Sequence, residues 1–305
     1  MKKLIGSALF AVSMLFVSTV VMADEALLKP FVLASKGSGT VADKVAAAKA
    51  ALTANGFTVA GDYSPYQDAE ILVVTNDELK SNAAKSEHGG FGAIQRVAVT
   101  KVGDEIQVSY TNPVYMANAY RMQGDLKDVA TKLQTALGKV EEFGAKGLSA
   151  DDLRDYHYMF GMEYFTDPSV LAVFGSYKEA VDAVEKGLAS NKVGATKVYR
   201  VDIPGKDESV FGVGLKAPTD ADKYMDDKYI MSEIDFRDVK STPHLPYEIL
   251  VSGNKVYAQY ARFRIAISFP DLSMMGANSF MNIMDAPEAI RTALALTSGG
   301  KEDAR

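Results

Sequence analysis

The chain can be laid upon itself, and this internal repetition constrains its fold more than any other feature. In the first half Val41, Val45, Ala48 and Leu52 fall at steps of four, three and four, the inner stripe of an amphipathic helix. Tyr177, Val181, Val184 and Leu188 repeat those steps in the second half. Thr40 with Asp43, and Ser176 with Glu179, place an N-cap oxygen and an acidic third residue at matching helix starts. An apolar strand precedes each helix, Phe31 to Ala34 and Val170 to Phe174. The β-rich segments Phe57 to Ala60 and Ile71 to Val74 follow in one half, and Lys197 to Ile203 and Val210 to Val213 in the other. Each half then has a hairpin, turning on Gly103-Asp104 or Gly253-Asn254, where a leading glycine suits a two-residue turn. A helix closes each half, Asp125 to Leu137 and Asp285 to Leu296, the second with Asp285, Pro287 and Glu288 at N-cap, N1 and N3. Six correspondences in one order predict an α+β chain of two similar domains, each a mixed or antiparallel sheet with flanking helices.

The offset between the halves grows from about 136 to about 160 residues, so the second carries an insertion, expected at about 216–243 with a polar helix from Asp220 to Glu233. The expected division is a signal peptide at 1–23, a first repeat at 24–140, a linker at 141–168 and a second repeat at 169–305. The linker carries Tyr156, Tyr158, Phe160, Tyr164 and Phe165, too aromatic for a free tether, and is expected to wedge between the halves.

The run Ala54-Asn55-Gly56-Phe57, the strand Glu70-Ile71-Leu72-Val73-Val74-Thr75-Asn76 and the hairpin through Val97-Ala98-Val99 and Gln107-Val108-Ser109 carry a resemblance. Residues 31–122, and more loosely the second half, are similar to the domain-of-unknown-function family 302. The resemblance implies small α/β domains with this element order and no general activity. The Pro-Cys element of many members is missing here, because the chain has no cysteine.

Lys2 and Lys3 ahead of the apolar stretch Leu4 to Val21, with small residues at Val21 and Ala23, read as a cleaved export signal and place the mature chain in the periplasm. No later segment is apolar enough to span a membrane. The absence of cysteine excludes disulfides, thioether-bound haem, Cys-ligated metals and thiol nucleophiles. Without Lys2 and Lys3 the formal charge moves from −6 to −8, which argues against nucleic acid as a partner.

Gly37-Ser38-Gly39-Thr40 after a strand mimics a dinucleotide fingerprint, yet the second half has only Gly175 at the equivalent turn, and the loop reads as a capped helix start. No cofactor is expected. His88, His157 and His244 stand at no catalytic spacing from one another. Asp151-Asp152 and Asp226-Asp227 read as solvated carboxylates. Lys255 to Phe269 reads as one long strand on which Arg262 and Arg264 share a face and could hold an anion. Met274, Met275, Met281 and Met284 cluster before the last helix, matching Met116 and Met122 in the first half. They read as soft packing groups, with a copper(I) thioether site as the alternative. Tyr115, Met116, Arg262, Arg264, Met274 and Met275 are therefore the candidate ligand contacts. The leading expectation is a non-catalytic binding or accessory protein holding a small molecule or a periplasmic protein between its halves. A copper-handling protein and a metal-independent hydrolase are the alternatives.

Overall fold

The computed structural model describes residues 26–301, so the expected signal peptide at 1–23 lies outside the described residues. Strand β1 (Phe31–Gly37) leads into helix α1 (Val41–Ala54), then β2 (Thr58–Tyr63), β3 (Ala69–Thr75), α2 (Asp77–Lys85), β4 (Gln95–Val102), β5 (Glu105–Thr111), α3 (Pro113–Ala119) and α4 (Lys127–Leu137). After β6 (Glu141–Phe143) and α5 (Ala150–Arg154) the same sequence of elements begins again. It runs through β7 (Ser169–Val173), α6 (Tyr177–Ser190), β8 (Ala195–Asp202), β9 (Glu208–Leu215), α7 (Asp227–Ile234), β10 (Tyr247–Ser252), β11 (Lys255–Ala258), α8 (Ala261–Ser268) and α9 (Ala286–Thr297). The first sheet has the order β2-β3-β4-β5-β1-β6 and the second β8-β9-β10-β11-β7, every pairing antiparallel. The two orders agree strand for strand except for β6, which the linker adds to the first sheet.

Local chemistry explains the shared elements. The Asp43 amide donates to the Thr40 hydroxyl at 3.1 Å and the Glu179 amide to the Ser176 hydroxyl at 3.2 Å, so both helices start where a cap oxygen takes up an orphan N–H. Gly103 and Gly253 have φ of 59° and 56°, the left-handed first position of a two-residue hairpin turn that glycine adopts without strain. Helices α1 and α4 cover one face of the first sheet, burying Leu52, Val129 and Leu133, and α6 covers the second with Val184 and Leu188. One cluster of buried apolar side chains runs through both halves.

Three sequence expectations are corrected. Lys255 to Phe269 is not one strand: β11 ends at Ala258 and 261–268 is a helix, the counterpart of α3. Phe263, Arg264, Ile265, Ala266 and Ile267 are all buried, and a helix covered on nearly every side, with only Arg262 partly exposed, loses the 3.6-residue signature, so its alternating residues mimic a strand. The expected polar helix from Asp220 to Glu233 is a 3-10 turn (Asp220–Met225) followed by α7, with Asp226 as cap between them. Because α2 occupies the same place in the first half as α7, the extra length lies around α7 and does not include it. Asp285 precedes α9 but its side chain makes no cap hydrogen bond, leaving the carboxylate free of that role.

Candidate functional site

The two halves meet through faces that carry polar groups. On β4 Arg96 is 1% exposed, and its guanidinium pairs with Glu248 on β10, itself 4% exposed. Glu248 also accepts from the Tyr199 hydroxyl at 3.0 Å and faces Arg264 Nε at 3.6 Å. Arg264 is anchored by donating to the His244 carbonyl and, at 3.1 Å, to the Ser268 hydroxyl. Tyr120 lies beside Arg96, and burial holds its hydroxyl and that of Tyr199 above the usual phenol range. The cluster joins β4 of one half to β8, β10 and α8 of the other. Around it, a Cβ at Gly61 would run into the Val198 carbonyl, and the Gly90 amide donates to Glu208 at 2.8 Å. Thr100 donates to Thr242 at 2.8 Å, and Tyr115 donates to the Ile267 carbonyl at 2.8 Å. The middle of the seam is thus packed.

Two carboxylates guard one edge of that seam. Asp227 accepts from the Tyr63 hydroxyl at 2.6 Å and the Leu215 amide at 3.0 Å, and burial pushes it up to about 7 against those stabilising bonds. Asp235 accepts from the Ser241 amide through both oxygens and is likewise raised by burial to about 7. Asp226-Asp227 is therefore not a solvated pair: Asp226 caps α7 and Asp227 is buried.

The structure separates the candidate contacts. Tyr115 and Met116 are buried in packing. Arg262 and Arg264, on a helix, point to different surroundings: Arg262 pairs with Glu163 of the linker, whereas Arg264 joins the buried cluster. Neither is available to an anion in the manner expected. Met275, Met281 and Met284 are exposed, and the Met281 amide donates to the Met274 carbonyl at 3.2 Å in the loop between α8 and α9. No group of three or more His, Cys, Asp or Glu side chains placed to hold a metal ion occurs among the described residues. His244 Nδ1 lies 2.9 Å from the Ser268 hydroxyl, within reach for a base and a nucleophile, and burial with Arg264 and Arg96 nearby keeps the imidazole neutral. Both residues are sealed, at 1% and 0% exposure, and the same hydroxyl receives Arg264, so the pair is part of the seam.

Open space lies elsewhere. A groove of about 650 Å³ runs along α9, between its Asp285, Ala289, Thr292 and Leu296 face and a wall of Pro218, Asp222, Tyr224 and Met225 from the extra segment. Lys192 and Val193 also line it, as do Met284 and Glu288 near the start of α9. Tyr224 is held edge-on to Tyr229 with the Lys223 ammonium over both rings at 5.1 and 4.9 Å. Glu288 is already paired with Arg291 at 2.6 Å, which leaves Asp222, Asp285 and Lys192 as the charged rim. Tyr224, Met225, Asp285 and Glu288 were visible in the sequence as parts of an inserted segment and a helix start. That they face each other was not, although the small and apolar Ala289, Ala293 and Leu296 along one side of α9 form a second stripe beside its core stripe. Comparison with protein-family models, with curated proteins and with solved structures finds no match to this chain.

Proposed function

We propose that this chain is a non-catalytic periplasmic binding or accessory protein that takes a small organic molecule, with an apolar body and a cationic group, in the groove along α9. The observation that carries the reading is the groove itself: its volume falls within the range of ligand sites, and its lining is mainly apolar with a few convergent charges. Two carboxylates, Asp222 and Asp285, against one ammonium, Lys192, favour a cation over an anion. The export pattern at the N-terminus supports the periplasmic part of the reading. The packed seam supports moving the ligand from between the halves to the surface that the extra segment creates.

The test is native mass spectrometry of the protein purified from periplasm, with thermal shifts against a panel of alkyl and aryl amines. The expected result is a co-purifying or stabilising amine whose effect disappears in Ala289→Trp, a substitution that fills the groove. A protein that carries no organic ligand and answers to no amine overturns the reading. The exposed Met275, Met281 and Met284 before α9 support a second reading, copper(I) held by thioethers, for which stoichiometric copper lost on Met274→Leu with Met275→Leu is the expected signature.

A further inference from the structure

A second cavity, of about 370 Å³, opens at the edge of the seam, and both halves line it. Tyr66 and Gln67 come from the turn between β2 and β3, Thr100 and Lys101 from the end of β4, and Lys228, Met231, Asp235 and Lys240 from α7 and the loop after it. Three lysines from three separate elements therefore line one depression on a molecule of net negative charge. Lys240 donates to the Asp235 carbonyl, which aims it, and lies near the Asp235 carboxylate, whereas Lys101 and Lys228 enter no ion pair among the described residues. Like charges brought together repel unless an anion joins them. The single carboxylate in the lining, Asp235, faces away to the Ser241 amide. Met231, 3% exposed, provides an apolar floor, and Tyr66, tied to Thr242 at 3.1 Å, a fixed aromatic wall.

The geometry points to a binding site for a small organic phosphate monoester at this cavity, separate from the α9 groove. Three lysines against at most one aspartate charge leave the lining cationic by at least two charges, which a phosphate monoester dianion balances better than a monocarboxylate does. The apolar floor and the tyrosine ring accept the ester's organic group. Because Lys101 belongs to one half and Lys228 and Lys240 to the other, an occupied site ties the halves together and binding raises thermal stability.

The test is a titration of the full mature chain, at constant ionic strength, with phenyl phosphate, inorganic phosphate and benzoate, read by calorimetry and thermal shift. Phenyl phosphate is expected to bind saturably and more tightly than either of the others. Lys101→Gln and Lys228→Gln, both at exposed positions, should each weaken it about fivefold, the effect of one partly exposed charged contact. Lys192→Gln, in the α9 groove, should leave it unchanged. Absence of saturable phenyl phosphate binding, equal affinity for benzoate, or insensitivity to both lysine substitutions in variants with wild-type circular dichroism would overturn the assignment.

Discussion

Replacing Glu248 with glutamine should destabilise the whole protein, and the amount follows from what the carboxylate touches. Among the described residues Glu248 is the one acidic side chain against which both buried guanidiniums lie, paired directly with Arg96 and 3.6 Å from Arg264, with Tyr199 donating as well. Glutamine keeps the volume and one acceptor but removes the charge, so two cations remain in a site where Arg96 and Arg264 are each 1% exposed. Breaking a buried ion pair by removing one partner costs about 3–5 kcal/mol, because the surviving charge is left without compensation. For a chain of this size that corresponds to a fall in Tm of roughly 5–8 °C. Arg96→Met should be milder, since Glu248 keeps Arg264 as counter-charge, and Arg96→Met with Glu248→Leu should cost clearly less than the two singles added together. Urea unfolding followed by both far-ultraviolet circular dichroism and tyrosine fluorescence measures these differences from the midpoints at constant m. The same curves test whether the seam binds the halves into one cooperative unit, since coincident transitions are expected with both probes. A Glu248→Gln protein within about 1 kcal/mol of the parent, or a strictly additive double variant, would refute the reasoning.

Gly61→Ala should lower stability by about 1–3 kcal/mol, because the added methyl meets the Val198 backbone and forces β2 away from β8, and an unchanged urea midpoint would contradict that packing. Phe165→Ala should cost about 3–5 kcal/mol, since the ring lies among Phe91, Tyr120 and Phe263 and so touches both halves; Phe160→Ala, fully exposed in the same linker, should stay within about 0.5 kcal/mol. Asp227 and Asp235, raised to about 7, stay protonated in the folded chain at pH values where the unfolded chain has already released those protons. Stability should therefore fall as pH rises from about 4 to 7, by at most about 1.4 kcal/mol per pH unit for each group. Asp227→Asn should flatten part of that slope, and a urea midpoint that climbs over the same interval would exclude it.

What could be read from the sequence was what short-range chemistry decides. The caps Thr40 and Ser176 and the glycine-led hairpin turns involve residues within four positions of one another, and all stand where the pattern placed them. Helices α2, α3 and α8 were not legible, because they are short and α8 is buried except at Arg262, so no polar face marks the period. Arg96 and Glu248 each interrupt an apolar strand pattern in a way that reads as an ordinary solvated position. Their partnership spans 152 residues and depends on how one sheet meets the other, which no local pattern encodes. Asp285 had the right residue type for a cap, but its backbone sits in the helical region at ψ −11°, where the side chain cannot reach back to the first turn.

Both cavities lie where the segment between β9 and β10 meets repeated elements. The faces that the two sheets turn toward each other are used up by the packing at Gly61, Gly90, Arg96 and Glu248, so open space is left at their margins. There the 3-10 turn at Asp220–Met225 walls the groove along α9, and α7 with the loop after it walls the seam cavity opposite β4. The junction between those two walls is rigid, since Asp226 accepts from the Ala217 and Tyr229 amides at 2.9 and 2.8 Å while Asp227 accepts from Leu215 and from Tyr63 of the other half. A segment pinned at its middle to both halves can present a fixed wall on either side without help from the ligand, and the ordering entropy that a mobile loop would lose on binding has already been met in folding.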